Sequence, residues 1–173
     1  MQPLVFLFVA VITVGVCQEY GCAPGWIYFD YYQHCYGYGS TAASWAEAQA
    51  ICQSQGTTMA DVPELGANNF LMVIARNKGD ECVWLDASDI FKEGVWRWSS
   101  RYIAFDFTNW YSGEPSNGTD DEDCLNMNRE YNYTWSDANC HTKCNFICSH
   151  WHYYDPYQAH RHNAEHITEG PTL

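Results

Sequence analysis

The chain has 173 residues, with 21 Asp and Glu against 8 Lys and Arg, a formal charge of −13 and a pI near 4.6. Hydrophobic residues make up 47% and aromatics 17%, enough for one ordinary domain with a core, plus short extras. Such acidity excludes nucleic acid and anionic membrane as partners, since both reward a basic patch; a cation or a neutral polar molecule is compatible with it.

The first seventeen residues, MQPLVFLFVAVITVGVC, carry no charged side chain, and Leu4–Val16 is an almost unbroken apolar run. The run is too short to span a bilayer comfortably and fits the apolar region of a secretory signal peptide over residues 1–17. Gly15 and Cys17 supply the small residues at its end. No later stretch has spanning length, so the mature protein is expected to be soluble and secreted. Nine cysteines occur in the sequence; losing Cys17 leaves eight. An even set in an exported chain reads as a disulfide framework. Cys140-x3-Cys144-x3-Cys148 also has zinc-ligand spacing, which an oxidising route disfavours.

GCAPGWIYFDYYQHCYGYG suits a small hairpin stapled by Cys22–Cys35. STAASWAEAQAICQSQG predicts a helix capped by Ser40 or Thr41, with Trp45, Ala48 and Cys52 on one face and Gly56 at its end. A second helix is predicted from Pro63 in its first turn to the stop at Gly79, with Phe70, Val73 and Ile74 sharing a face. From Cys82 onward CVWLDA, GVWRWSS, IAFDF, CLNMN and NFICS read as short strands of an antiparallel sheet. Helices first and strands after make an α+β pattern. Trp45, Trp84, Trp96, Trp98 and Trp110 are read as core.

The segment 109–122 is long and polar, as functional loops are. Within it, Gly113–Cys124 reads GEPSNGTDDEDC: Glu114, Asp120, Asp121, Glu122 and Asp123, with no Lys or Arg. Crowded carboxylates repel, and a hard divalent cation relieves that repulsion; Ca²⁺ takes about six to eight oxygens. A solvated acidic loop is the bland alternative. Trp135-Ser136-Asp137 lies just before Cys140, and a Cys124–Cys140 bridge would return Asp137 toward the loop.

After Cys148 the tail, residues 150–173, is His-rich and without clear periodicity, and it is expected to be loosely ordered. His162-Asn163-Ala164-Glu165-His166 matches the H-x-x-E-H pattern of some zinc proteases. With no helix around it and no third ligand implied, the match is read as fortuitous.

Trp84-Leu85, Trp96-x-Trp98, Asn109-Trp110 leading into Gly113-Glu114-Pro115-Ser116, Glu122-Asp123-Cys124, Trp135-Ser136-Asp137 and Phe146-Ile147-Cys148 stand in an order that resembles a C-type lectin domain. The resemblance covers residues 21–149. It implies an α+β C-type lectin-like fold, two helices with antiparallel sheets and a long calcium-binding loop region. It also implies disulfides Cys52–Cys148 and Cys124–Cys140, with Cys22–Cys35 marking the long form. Cys82 and Cys144 are then left over and are expected to pair.

Carried over residue by residue, the resemblance implies a sugar-binding Ca²⁺ on Glu114, Ser116, Glu122, Ser136 and Asp137. Ser116 and Ser136 stand where the family commonly has an amide. An auxiliary calcium site would fall on Asp89, Glu93, Asn117, Glu122 and Asp123; for Asp89 and Glu93 the reading as ordinary surface charge stays open. Two sequons, at Asn117 and Asn132, mark glycosylation sites, and a glycan on Asn117 would crowd the sugar site.

The family resembled is not enzymatic, and no Gly-x-Ser-x-Gly elbow, P-loop or helical zinc motif is present. The implied function is secreted, calcium-dependent glycan binding of mannose type, for pattern recognition (innate immunity) or adhesion, with galactose-type glycans as the other specificity. Homo-oligomerisation would make weak sites useful. A structural or mineral-associated lectin-like protein without sugar binding is the alternative.

Overall fold

The computed structural model describes residues 22–118 and 121–151, with the side chain of Trp151 excepted. The leader at 1–17 and the tail motif at 162–166 lie outside them. Among the described residues no helix is long and apolar enough to cross a membrane.

Two helices flank a sheet of nine strands. The first hairpin joins β1 (Ile27–Phe29) to β2 (His34–Ala43), and Cys22–Cys35 ties the chain preceding β1 to β2. Strand β2 is far longer than expected, because its residues pair with β9 (Cys144–Trp151). Ser40 and Thr41 therefore lie in a strand. Helix α1 (Trp45–Ser54) is instead capped by Ser44, whose hydroxyl accepts from Glu47 N while the Glu47 carboxylate accepts from Ser44 N. This reciprocal S-x-x-E box satisfies two otherwise orphaned amides, and it fixes the start of the helix where the strand pairing ends.

A short strand β3 (Thr58–Met59) adds to β9. Helix α2 (Leu65–Lys78) begins two residues after Pro63 and ends on Gly79 in the left-handed region at φ 75°. Its buried stripe is Ala67, Leu71, Ile74 and Ala75, whereas Val73 is half exposed. Phe70 is partly buried and stacks on Phe29 at 4.2 Å. Of the expected face, Ile74 and Phe70 pack inward and Val73 alone turns to solvent.

β4 (Cys82–Ser88) lies at the centre. It is antiparallel to β5 (Arg97–Trp98) and to β7 (Cys124–Asn128), and parallel to β9. The parallel pair corrects the all-antiparallel expectation: the β9 chain enters at the end where β4 begins, so Cys82 and Cys144 meet and bond. β6 (Ile103–Ala104) pairs with β5, and β8 (Thr134–Ala138), not expected as a strand, pairs with β7. Strand alternation separates two cores. Val83, Leu85 and Ala87 face a cluster with α2, whereas Trp84 faces one with Trp45, Ala48 and Cys52 of α1.

Trp45, Trp84 and Trp98 are buried, and Trp96 and Trp110 pack against the core. Three buried indoles find partners: Trp45 Nε1 donates to Leu85 O, Trp84 Nε1 to Ala43 O, and Trp135 Nε1 to Asn68 Oδ1, at 2.9–3.0 Å, whereas Trp96 Nε1 has none. On β2, Gly39 is required by close approach, since a Cβ there would sit 2.3 Å from the Phe146 ring. Four disulfides close the frame: Cys22–Cys35, Cys52–Cys148, Cys82–Cys144 and Cys124–Cys140. Cys140, Cys144 and Cys148 are thus each bonded, which closes the zinc reading.

Candidate functional site

The acidic segment runs between β6 and β7, and its base is held by aromatic packing. Trp98, Phe105, Phe107 and Trp110 surround Trp135 edge-on, at ring separations of 5.7–5.9 Å. The backbone adds to this hold: Trp135 N donates to Asn109 O, and Tyr111 N to Trp135 O. These contacts deliver Glu114 to Asp137 of β8.

The Asp137 carboxyl stands beside that of Glu114. The Glu114 carboxyl is pushed up to about 7, first by burial and then by the Asp137 carboxyl beside it, while bonds from Ser116 act the other way. The Glu114–Pro115 peptide is cis. Asp137 also accepts from Ser116 N at 3.0 Å and from Asn117 N at 2.6 Å. Glu122 accepts from Gly118 N at 2.6 Å, and Asn117 Oδ1 accepts from Glu122 N at 3.4 Å.

Ser136 stands apart. Neighbouring residues on a strand point to opposite sides. Asp137 lies on the side of Trp135, and the Ser136 hydroxyl donates to Asn126 Oδ1 at 3.1 Å, where it is buried. The structure therefore brings together Glu114, Ser116, Asn117 and Asp137, sets Glu122 against Gly118, and turns Ser136 away.

The second expected group gathers differently. Asp89 N donates to Asp123 O at 3.1 Å, and Asp89 Oδ2 accepts from Gly94 N at 2.8 Å. Burial pushes the Asp89 carboxyl up to about 6, with Glu93 and Asp123 adding to the rise. Asp89 is buried, and its Oδ1 has no hydrogen-bond partner. Asn117 touches both groups: its N–H donates to Asp137, and its Oδ1 accepts from Glu122 N. Of the two sequon residues, Asn117 is half-buried and Asn132 is exposed, both at positive φ.

The donors around Glu114 are all oxygens, and burial beside the Asp137 carboxyl disfavours the Glu114 charge, a penalty that a divalent cation would offset. In that respect Glu114, Ser116 and Asp137 fit calcium. Among the described residues no group of three or more acidic, His or Cys side chains converges as a metal site. Backbone amides hold Asp137 and Glu122 instead.

Sequence reasoning missed the tyrosine pair beside the site. Tyr111 and Tyr131 stack with centroids 4.3 Å apart and planes 8° off parallel. Glu114 N donates to Tyr111 O, and the Glu114 and Glu122 charges raise the Tyr131 pKa after burial. Two tyrosines twenty residues apart give no signal until β8 and the loop are folded together.

A disulfide-stapled α+β domain with a long acidic loop anchored on a tryptophan strand defines a lectin-like class. The C-type lectin domain family model matches residues 41–150, and the chain belongs to that family. It is 29% identical over 147 residues to a perlucin-like protein of Mytilus galloprovincialis, covering 83% of this chain and 92% of the relative. It is 28% identical over 152 residues to the galactose-specific lectin nattectin of Thalassophryne nattereri, covering 84% and 93%. The fold matches the carbohydrate-recognition domain of a mouse scavenger receptor C-type lectin with a TM-score of 0.70 at 24% identity, covering 76% of this chain and 98% of that one. The family is non-enzymatic, and the chain is not an enzyme.

Proposed function

We propose that this protein is an exported, calcium-dependent lectin whose sugar site lies on Glu114, Ser116, Asp137 and Glu122. One observation carries the reading: Asp137 of β8 accepts from Ser116 N and Asn117 N, which draws the Glu114-Pro115-Ser116 segment onto β8 and sets the Glu114 carboxyl beside that of Asp137. Calcium, when bound, offers two coordination places to adjacent sugar hydroxyls. Glu114 and Glu122 would accept hydrogen bonds from those hydroxyls, and Ser116 would donate its single hydrogen. The exposed Tyr111 ring with Tyr131 supplies an apolar flank for the pyranose.

Glu114 as the first motif residue favours mannose-type diols, whereas the relationship to a lectin named galactose-specific keeps that specificity as the comparison. With one donor hydrogen where an amide has two, each site should bind at about millimolar strength, near −4 kcal/mol, and act through multivalency. Retention on mannose and galactose resins in calcium, with release by EDTA, tests the reading. Glu114→Gln with Ser116→Asp should move retention from mannose toward galactose. A wild-type protein that no glycan retains in calcium overturns it.

The second reading is a structural lectin-like protein without sugar binding. The amides of Ser116, Asn117 and Gly118 already satisfy Asp137 and Glu122, and Ser136 is turned inward. Under this reading calcium leaves both stability and resin retention unchanged.

A further inference from the structure

A cavity of about 140 Å³ lies between the end of β4, the turn at 89–96 and β5. It contains two cations, Lys92 and Arg97. Among the other described cations, Arg101 pairs with Asp61, Arg129 with Glu81, Lys143 with Glu47 and Arg76 with Asn132 O, and Lys78 lies over the Tyr38 ring. Lys92 and Arg97 make no ion pair among the described residues, and the Arg97 guanidinium lies 5.0 Å over the Tyr102 ring. In a chain of −13, two such cations lining one cavity give a local positive site against the general field.

The rest of the lining is polyhydroxylic and aromatic. The Ser88 and Ser99 hydroxyls stand 3.3 Å apart, and either can donate to the other. Asp89 lies at the buried end: its Oδ2 is held by Gly94 N, and its Oδ1 has no partner. Phe91 is 82% exposed, Tyr102 is 58% exposed, and the two rings meet edge-on at 5.8 Å. Two exposed rings in contact at the rim of one cavity make a small apolar patch that a ligand could cover.

We propose that this cavity binds an acidic monosaccharide unit, a pyranose bearing a carboxylate or a sulfate ester, independently of calcium. Lys92 and Arg97 take the anionic group. Ser88, Ser99 and Asp89 exchange hydrogen bonds with ring hydroxyls, and the Phe91 and Tyr102 rings cover an apolar face. The volume is below the roughly 300–1,000 Å³ of drug-sized sites, which limits the ligand to one ring and its substituent. The same two cations oppose a divalent ion at Asp89, so the proposal competes with the auxiliary calcium reading. It does not rest on the Glu114 site.

Calorimetric titration in excess EDTA tests it, with methyl glucuronide and a galactose 6-sulfate glycoside as probes, and their neutral parents and inorganic sulfate as controls. At least one acidic sugar should bind in the millimolar range, ten-fold or more tighter than its neutral parent, and more weakly as salt rises. Lys92→Gln with Arg97→Gln should reduce that affinity at least ten-fold while the melting temperature stays within a degree or two. Phe91→Ala, at an exposed position, should reduce it without unfolding the domain. No binding in EDTA, equal binding of neutral sugars, inorganic sulfate matching the sugar sulfate, or affinity unchanged in the double variant each overturns the proposal.

Discussion

The stapled sheet and the acidic loop satisfy their polar groups in opposite ways. In the sheet, ladders take the backbone, indole N–H groups find carbonyls, and four disulfides cross-link the frame. In the loop, side-chain carboxyls take up the backbone amides of 116–118, and the Glu114 carboxyl is left half-buried beside that of Asp137. The difference teaches where each region's stability comes from. The sheet carries its own, from apolar burial and chain constraint. The loop sets a half-buried Glu114 carboxyl beside Asp137, an arrangement that burial and the neighbouring charge both disfavour.

That contrast can be broken first at the frame. Cys52–Cys148 spans 96 residues, and loops near 100 residues give about 4–5 kcal/mol by the chain-entropy argument. Cys52→Ala should therefore abolish folding and secretion, as read by expression and circular dichroism, and calcium should not restore them. Cys124–Cys140 spans only 16 residues, at the junction of loop and sheet. Cys124→Ala with Cys140→Ala should cost less, about 3 kcal/mol, and denaturant unfolding should still show a cooperative transition.

A sharper test uses a carboxyl inside the frame. Asp86 is fully buried, Oδ2 accepts from Ser100 N at 2.9 Å, and Oδ1 has no partner. Burial raises it from 3.8 to about 6. The folded state thus holds the proton more tightly than the unfolded chain does. This contribution is full below pH about 3.8 and is lost as pH rises through about 6. Above that, the buried charge costs at most about 3 kcal/mol. Asp86→Asn should accordingly raise stability at pH 7 by about 1–3 kcal/mol, with the gain vanishing below pH 4. Melting curves across pH 3–8 that run parallel for the two proteins would contradict the assignment. The smallest effect belongs to the Ser44–Glu47 box: Ser44→Ala should cost about 1 kcal/mol, leaving calcium behaviour intact.

Much of the frame is legible in the sequence because its signals are local or pairwise. Turn residues, apolar runs and eight cysteines in family order identify the elements, and Cys82 with Cys144 follows from what remains. The errors arose where tertiary pairing overrides local pattern. Ser40 and Thr41 look like caps until β9 claims their strand. Val73 looks buried until α2 is rotated onto Leu71 and Ala75. Thr134–Ala138 looks like a motif rather than a strand because Asp137 and Ala138 are weak strand formers; pairing with β7 and the rings around Trp135 decide it.

The candidate site was legible as a set of residues but not as a geometry. A carried-over motif cannot tell that Ser136 faces Asn126, or that Asp137 is held by two amides. Tyr111 with Tyr131, and Lys92 with Arg97 at one cavity, depend on folding alone.

The most direct test of the loop account is thermal melting of the wild-type protein in excess EDTA and in millimolar calcium, alongside Asp137→Asn. A ligand of the native state raises stability in proportion to the logarithm of its saturation, about 2.7 kcal/mol at a hundred-fold excess over Kd. Calcium should raise the wild-type melting temperature by several degrees and leave Asp137→Asn nearly unmoved. Equal wild-type melting temperatures with and without calcium would contradict the account.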